Sequence, residues 1–218
     1  MVVLSVALNR KSLPLSQIEI TLRGFNQQGT MMKRLLSANH LRRLYHHLAR
    51  GGIVAYPTES CYGLGCLPTH PIALRHLVRL KKRPQHKGMI VIGDSVSRLQ
   101  PLLRPLSSAT RHQLQQIWPA RITFLLPAQQ HIPALLRGKQ RQKLAVRVPA
   151  HQTARDLCAL LKQPLVSTSC NRAGRRPCRH EREVRRQFGR QVWIVGGQIG
   201  NAKSPSQIVD WASGKRWR

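Results

Sequence analysis

The chain has 218 residues, 41% of them apolar, enough for one sizeable α/β domain or at most two small ones. No run approaches the roughly 18 to 20 apolar residues that a membrane-spanning helix needs, so the sequence reads as a soluble protein with no membrane partner. Lys and Arg number 37 against seven Asp and Glu, a formal net charge of +30; this points to nucleic acid or phosphorylated ligands and argues against mechanisms built on paired carboxylates or carboxylate-rich metal cages.

The opening MVVLSVALNRKS has a short apolar run with no basic region before it and no small-residue cleavage site, so a secretory signal is not expected. Residues 1–31 read as an N-terminal extension, either a flexible segment or an upstream start ahead of Met31 or Met32, and residues 32–218 as one domain. Leu36, Leu41, Leu44 and Leu48 recur at helical spacing, predicting an amphipathic helix over 35–49 that Gly51-Gly52 stops. Ile53 to Tyr56 is a short apolar strand closed by Pro57.

The stretch YPTESCYGLGC, Tyr56 to Cys66, then reads as a loop in which Gly63 and Gly65 let the backbone approach a ligand or a neighbour closely. It is not a P-loop, because GxxxxGK[ST] occurs nowhere in the chain. A second helix follows in THPIALRHLVRLKKRP, with Ile72, Leu74, Leu77, Val78 and Leu80 as its apolar face. Lys81 and Arg83 stand where that helix runs out before Pro84, so they need not point to opposite sides. An ammonium and a guanidinium fork suit phosphate oxygens, with Lys87 as a third cation; a solvated basic face is the alternative.

GMIVIGD, ITFLLPA, LAVRVPA, PLVSTS and VWIVGG read as further strands, with helical stretches over 95–103, 107–117, 153–161 and 181–188. This alternation predicts an α/β domain with a mixed sheet. In PLVSTSCNRAG an apolar strand ends in Ser167, Thr168, Ser169 and Asn171. Uncharged donors and acceptors at a strand end suit a nucleotide or an amino acid, and a capped turn is the other reading. Five cysteines with no CxxC pair suit free thiols in a reducing cytosol, and Cys170, Cys178 and His180 match no standard zinc spacing.

Taken in order, GGIVAYPTESCYGLG, LKKRPQHKGMIVI, WPARITFLLPA, LAVRVP, PLVSTSCN and SPSQIVD resemble the YrdC/TsaC family, the threonylcarbamoyl-AMP synthases, over roughly residues 35–218. The resemblance implies a YrdC-like domain, a twisted mixed sheet with flanking helices around a basic concave cavity. It implies an enzyme that joins L-threonine, bicarbonate and ATP into L-threonylcarbamoyl-AMP with release of pyrophosphate, for the t6A37 modification of tRNAs that read codons beginning with A. Lys81 and Arg83 match the family's KxR pair and should hold the triphosphate, with Mg2+ bound through its oxygens and no protein metal ligands. Thr58 should contact threonine and Thr123 the nucleotide. Ser167, Ser169 and Asn171 should line the nucleotide and acyl site. Arg147 should add a cation near the anionic intermediate, and Ser206 should close the nucleotide side. Cytoplasmic location, contact with tRNA through the basic surface and with t6A transferase proteins follow from the same resemblance.

Three departures stand out: Ala120-Arg121 in place of Gly-Pro, Cys170 in place of Ala, and Ser204 in place of Asn. None removes the KxR pair or the strand-end hydroxyls. Two other functions share the fold logic: the carbamoyl-adenylate-forming domain of hydrogenase maturation, which works from carbamoyl phosphate, and a non-catalytic RNA-binding protein.

Overall fold

The computed structural model describes residues 37–84 and 87–218; the N-terminal extension and Leu36 lie outside them. Chain order gives helix α1 (Ala38–Ala49), strands β1 (Val54–Pro57) and β2 (Tyr62–Gly65), α2 (Pro71–Lys81), β3 (Ile90–Ile92), α3 (Val96–Leu99), α4 (Ser108–Ile117) and β4 (Ile122–Pro127). There follow α5 (Ala134–Arg137), β5 (Lys143–Arg147), α6 (Gln152–Leu161), β6 (Leu165–Ser169), α7 (Glu181–Phe188), β7 (Trp193–Ile194) and β8 (Gln207–Asp210). The eight strands form one mixed sheet in the order β7-β1-β2-β6-β3-β5-β4-β8. The pairs β1–β7, β3–β5 and β4–β8 run parallel and the other four antiparallel.

Helices cover both faces, and the strands' period of two explains how. Ile53, Ala55, Leu64, Val91 and Val166 point to the face packed by Leu74 and Leu77 of α2, Leu99 of α3, Leu114 of α4 and Val184 of α7. Val54, Tyr56, Ile92 and Leu165, one residue out of step, point to the face packed by Leu41, Leu44 and Leu48 of α1 and Leu157 and Leu161 of α6. Several helix starts supply their own side-chain acceptor. Ser37 accepts from the His40 amide at 3.3 Å, the His70 ring from Ala73 at 3.2 Å, and Ser107 from Thr110 at 3.1 Å.

Several sequence expectations need correction. The 95–103 helix is one turn of α3 followed by a 3-10 turn over Gln100–Leu102, because Pro101 has no N–H to continue an α-helical ladder. Ile72 sits 62% exposed on the outside of α2 rather than on its apolar face. The Tyr56–Cys66 segment is not a loop throughout: Tyr62–Gly65 is β2, paired to β1 and β6 and buried along its length. Its glycines make that pairing possible. A Cβ on Gly65 would lie 2.3 Å from the Val166 carbonyl oxygen, and one on Gly63 within 3.3 Å of Thr58 and Tyr56. SPSQIVD holds an unforeseen strand as well, β8.

Candidate functional site

Lys81 is the last residue of α2 and is 4% exposed. Its Nζ donates to the Ser169 carbonyl, to the Asn171 carbonyl at 2.7 Å and to Asn171 Oδ1 at 3.2 Å. Each hydrogen of the ammonium thus has an oxygen, and all three belong to the end of β6. Asn171 is fixed in turn: its Oδ1 accepts from Ser169 Oγ at 2.7 Å, and its Nδ2 donates to the carbonyls of Arg175 at 2.7 Å and Arg172 at 3.1 Å. Burial first, then the nearby Arg83 charge, brings the Lys81 pKa down to about 8.

Arg83 leaves in a different direction because Lys82 is left-handed, with φ of 52°. The Lys82 amide bonds the Arg79 carbonyl and the Arg83 amide the Val78 carbonyl, each at 3.0 Å, which closes α2. The Arg83 guanidinium is steadied by the Gly88 carbonyl at 2.8 Å and the Lys87 carbonyl at 3.4 Å. Lys87 itself is exposed.

Thr58, Ser167, Thr123 and Ser206 are all buried. Thr58 Oγ1 donates to the Cys61 carbonyl at 2.7 Å, closing the turn between β1 and β2. Ser167 faces Ile90 across the β6–β3 ladder. Thr123 on β4 and Ser206 just before β8 share a hydroxyl–hydroxyl bond of 2.9 Å, brought together by the parallel β4–β8 pairing. Beside them, the two departures at Arg121 and Ser204 meet: the Arg121 guanidinium donates to the Ser204 carbonyl at 2.8 Å and hydroxyl at 3.2 Å.

Arg147, at the end of β5, is committed to a partner that sequence reasoning missed. Glu59 takes both terminal nitrogens at 3.0 Å and also accepts from the Ala150 amide at 2.9 Å. Burial opposes ionisation of Glu59, but the Arg147 charge and these hydrogen bonds outweigh it and hold the carboxyl below its usual range. The pair is neutral as a unit, and Arg147 Nε is buried with no hydrogen-bond partner among the described residues.

Arg218 was also missed. Residues 215–218 fold back along β8: the Asp210 amide bonds the Lys215 carbonyl at 2.8 Å, and the Trp217 amide bonds the Ile208 carbonyl at 2.8 Å. Arg218 Nε reaches the Ser206 carbonyl at 3.2 Å. Burial first, then the Arg218 charge, lowers the pKa of Arg83, and burial first, then the Arg147 charge, lowers that of Arg218. Lys81, Arg83 and Arg218 are thus each disfavoured as cations by the next of the group Arg83, Arg218 and Arg147, and Glu59 is the side-chain carboxylate that pairs with Arg147. Only the final letters of the sequence could have signalled Arg218, and nothing local marks them.

A row of crowded cations beside strand-end hydroxyls, on an α/β sheet, defines a protein equipped to hold an anion such as a phosphate chain. The Sua5/YciO/YrdC family model, described by the words telomere recombination, matches residues 46–218. The threonylcarbamoyl-AMP synthase of Neisseria meningitidis (serogroup A) is 63% identical over 188 residues, covering 86% of this chain and all of the relative. The enzyme of the same name from Thiobacillus denitrificans is 46% identical over 172 residues, 79% of this chain and 91% of the relative. The crystal structure of P. abyssi Sua5 complexed with L-threonine superposes with a TM-score of 0.73 at 26% identity, covering 81% of this chain; the chain spans about half (52%) of that longer protein. The chain belongs to the Sua5/YciO/YrdC family.

Proposed function

We propose that this chain is a threonylcarbamoyl-AMP synthase: it uses ATP to convert L-threonine and bicarbonate into L-threonylcarbamoyl-AMP and pyrophosphate. The observation that carries the reading is the Lys81 ammonium bonded to Ser169 and Asn171, beside Arg83. It joins the two motifs that the reaction most needs, and relatives that bear this name match along most of the chain. Residues 32–218 act as one domain, with the site in a basic concave cavity at the sheet's end.

The carbamate of threonine is an anion, and so is the ATP α-phosphate that it attacks. Catalysis is therefore positioning plus charge neutralisation, with little covalent work for the protein. Lys81 and Arg83 receive the triphosphate, helped by Lys87 at the cavity rim. Thr58 orients threonine, Thr123 and Ser206 hold the nucleotide, and Ser167, Ser169 and Asn171 line the nucleotide and acyl site. Arg147, its charge offset by Glu59, offers its unpaired Nε–H to the intermediate. Arg218 adds the charge that Arg147 cannot give freely. Mg2+ held through the triphosphate oxygens that Lys81 and Arg83 receive would supply positive charge to the leaving pyrophosphate.

Among the described residues no helix is long and apolar enough to cross a membrane; a cytoplasmic place, a tRNA and t6A transferase proteins complete the proposal. Pyrophosphate release from ATP tests it. Dependence on threonine and bicarbonate is expected. Dependence on carbamoyl phosphate would assign the chain to the hydrogenase-maturation chemistry, and no release with any of these substrates would leave a binding protein.

A further inference from the structure

The outer faces of α1 and α2 carry cations and no carboxylate. Arg43 and Arg50, with His46 between them, are exposed on α1 and at its end; Arg75, His76, Arg79 and Lys82 are exposed along α2. Two grooves flank α2. One, of about 640 Å3, is lined by Arg43, His46, His47, Arg50, His76 and Trp193 among others. The other, of about 430 Å3, is lined by Arg75, Arg79, Lys82 and Arg83 over an apolar floor of Val78 and Leu135.

Among the described residues no side-chain carboxylate pairs with this face. Every side-chain carboxylate among the described residues is engaged elsewhere: Glu59 with Arg147, Asp94 with Arg98, Asp210 with Lys143 and Glu181 with Arg185. Asp156 is held by Gln152, and Glu183 by the amides of Arg179 and His180. Within the larger groove Trp193 is half-buried on the edge strand β7. The Arg43 guanidinium lies 5.7 Å from its ring centre, the His47 ring also at 5.7 Å, and His40 meets it edge-on at 5.8 Å. A planar cation stacked on an indole is a platform on which an unpaired base can lie.

We propose that the rim running from the C-terminal end of α1, past the edge strand β7 and over the outside of α2, binds a nucleic-acid strand with unpaired bases. Its phosphates pair with Arg43, Arg50, Arg75, Arg79 and Lys82, and a base stacks on the Trp193–Arg43 pair. The function proposed above would make that strand a tRNA, but the surface stands whether or not the reaction does. A lipid bilayer is the weaker occupant, because Tyr45 and Ile72 are the only large apolar residues counted as exposed on these two helices, too few for insertion.

The test is the salt dependence of binding of the full chain to a fluorescein-labelled 20-nucleotide single-stranded RNA, with pyrophosphate release assayed in parallel. Five phosphate contacts at about −0.7 each predict a slope of log K against log salt of about −3.5. The triple variant Arg43→Glu, Arg50→Glu, Arg79→Glu should weaken binding at least about tenfold and flatten the slope by about 2. A control triple with the same charge change, Arg104→Glu, Arg111→Glu, Lys139→Glu, should keep the slope, and both should release pyrophosphate at the parent rate. Single Arg43→Gln and Arg79→Gln variants, at exposed positions, should each lower the slope by about 0.7 and keep the result readable if a triple fails to fold. Equal losses in the two triples, no RNA binding in dilute salt, or binding to phosphatidylglycerol vesicles without RNA binding would each overturn the proposal.

Discussion

Two buried cations, Lys81 at the end of helix α2 and Arg147 at the end of strand β5, are treated in opposite ways. Arg147 is matched to a full carboxylate, Glu59, in a two-point pair. Lys81 is matched only to carbonyl and amide oxygens. Partial charges satisfy the ammonium's hydrogens and leave its net charge uncancelled, whereas the carboxylate cancels that of Arg147. An anionic substrate would therefore be attracted to the Lys81 end, while the Glu59–Arg147 end gives the site its shape.

The largest expected effect tests the neutral pair. Glu59→Ala leaves the Arg147 charge buried alone, which should cost about 3–5 kcal/mol of stability in urea denaturation. Glu59→Leu combined with Arg147→Leu should cost less than either single change. A loss below about 1 kcal/mol for Glu59→Ala would mean that the two side chains behave as an exposed pair and would dissolve the contrast.

Next come the uncancelled cations. Arg83→Ala and Lys81→Ala should each raise the barrier to adenylate formation by about 2–4 kcal/mol, read from kcat. Arg83→Ala should leave the melting temperature nearly unchanged, because Arg83 is bonded only to loop carbonyls. Lys81→Ala should lower it, because the end of β6 loses its internal donor.

pH separates the two regions by window, alkaline for Lys81 and acid for Glu59. With its pKa near 8, Lys81 is protonated at a cost in the folded state below that pH; above it the folded chain loses the proton while the unfolded chain keeps it up to the ordinary value of 10.5. The Lys81 contribution to stability should thus rise between about pH 8 and 10.5, and Lys81→Met should flatten that rise. Over the same range kcat/KM for ATP should fall as the charge is lost, and Arg83→Ala should move the fall to higher pH. Glu59, also held below its usual range, has the same sign in an acid window: its stabilisation is present above the ordinary carboxylate pKa and is lost as acid protonates it, and there the charged form is the favoured one.

A smaller effect belongs to the two departures from the family pattern. Arg121→Ala should cost about 0.5–1.5 kcal/mol at most, the value of a hydrogen bond, and less if water replaces it. Adding Ser204→Asn should recover part of that loss. Additive losses in the double variant, measured as KM for ATP, would show that the two positions are not coupled. The smallest change expected is a gain: Lys82→Gly should stabilise by about 0.5–1 kcal/mol, since glycine occupies a left-handed position without a Cβ penalty.

Much of this architecture was legible in the chain order of its residues. α1, α2 and α6 follow the leucine spacing, α4 and α7 fall in the polar stretches between strands where helices were expected, and β3 to β6 follow short apolar runs bounded by Gly or Pro. β2 was not legible, because glycine normally argues against a strand; here two glycines permit one by removing side chains that would strike Val166 and Thr58. For the site, the motif residues were visible one by one, yet their bonds were not. Lys81 to Asn171 spans 90 positions and Glu59 to Arg147 spans 88, and no local periodicity encodes such a meeting. Glu59 had been passed over as one letter of a motif, although scarcity was its signal: with so few acids, a buried one is expected to have a cation beside it.

Lys82 separates its two jobs by chemistry. Its backbone, turned left-handed, ends α2 so that Lys81 bonds the end of β6 and Arg83 the Lys87–Gly88 carbonyls, while its side chain stays on the outer groove. The middle letter of K-x-R therefore carries its meaning in torsion angles, and its side chain is free to be selected for something else. On this reading the catalytic motif and the nucleic-acid surface meet in one groove lined by Lys82 and Arg83, and of the two only the Lys82 side chain is left to the strand.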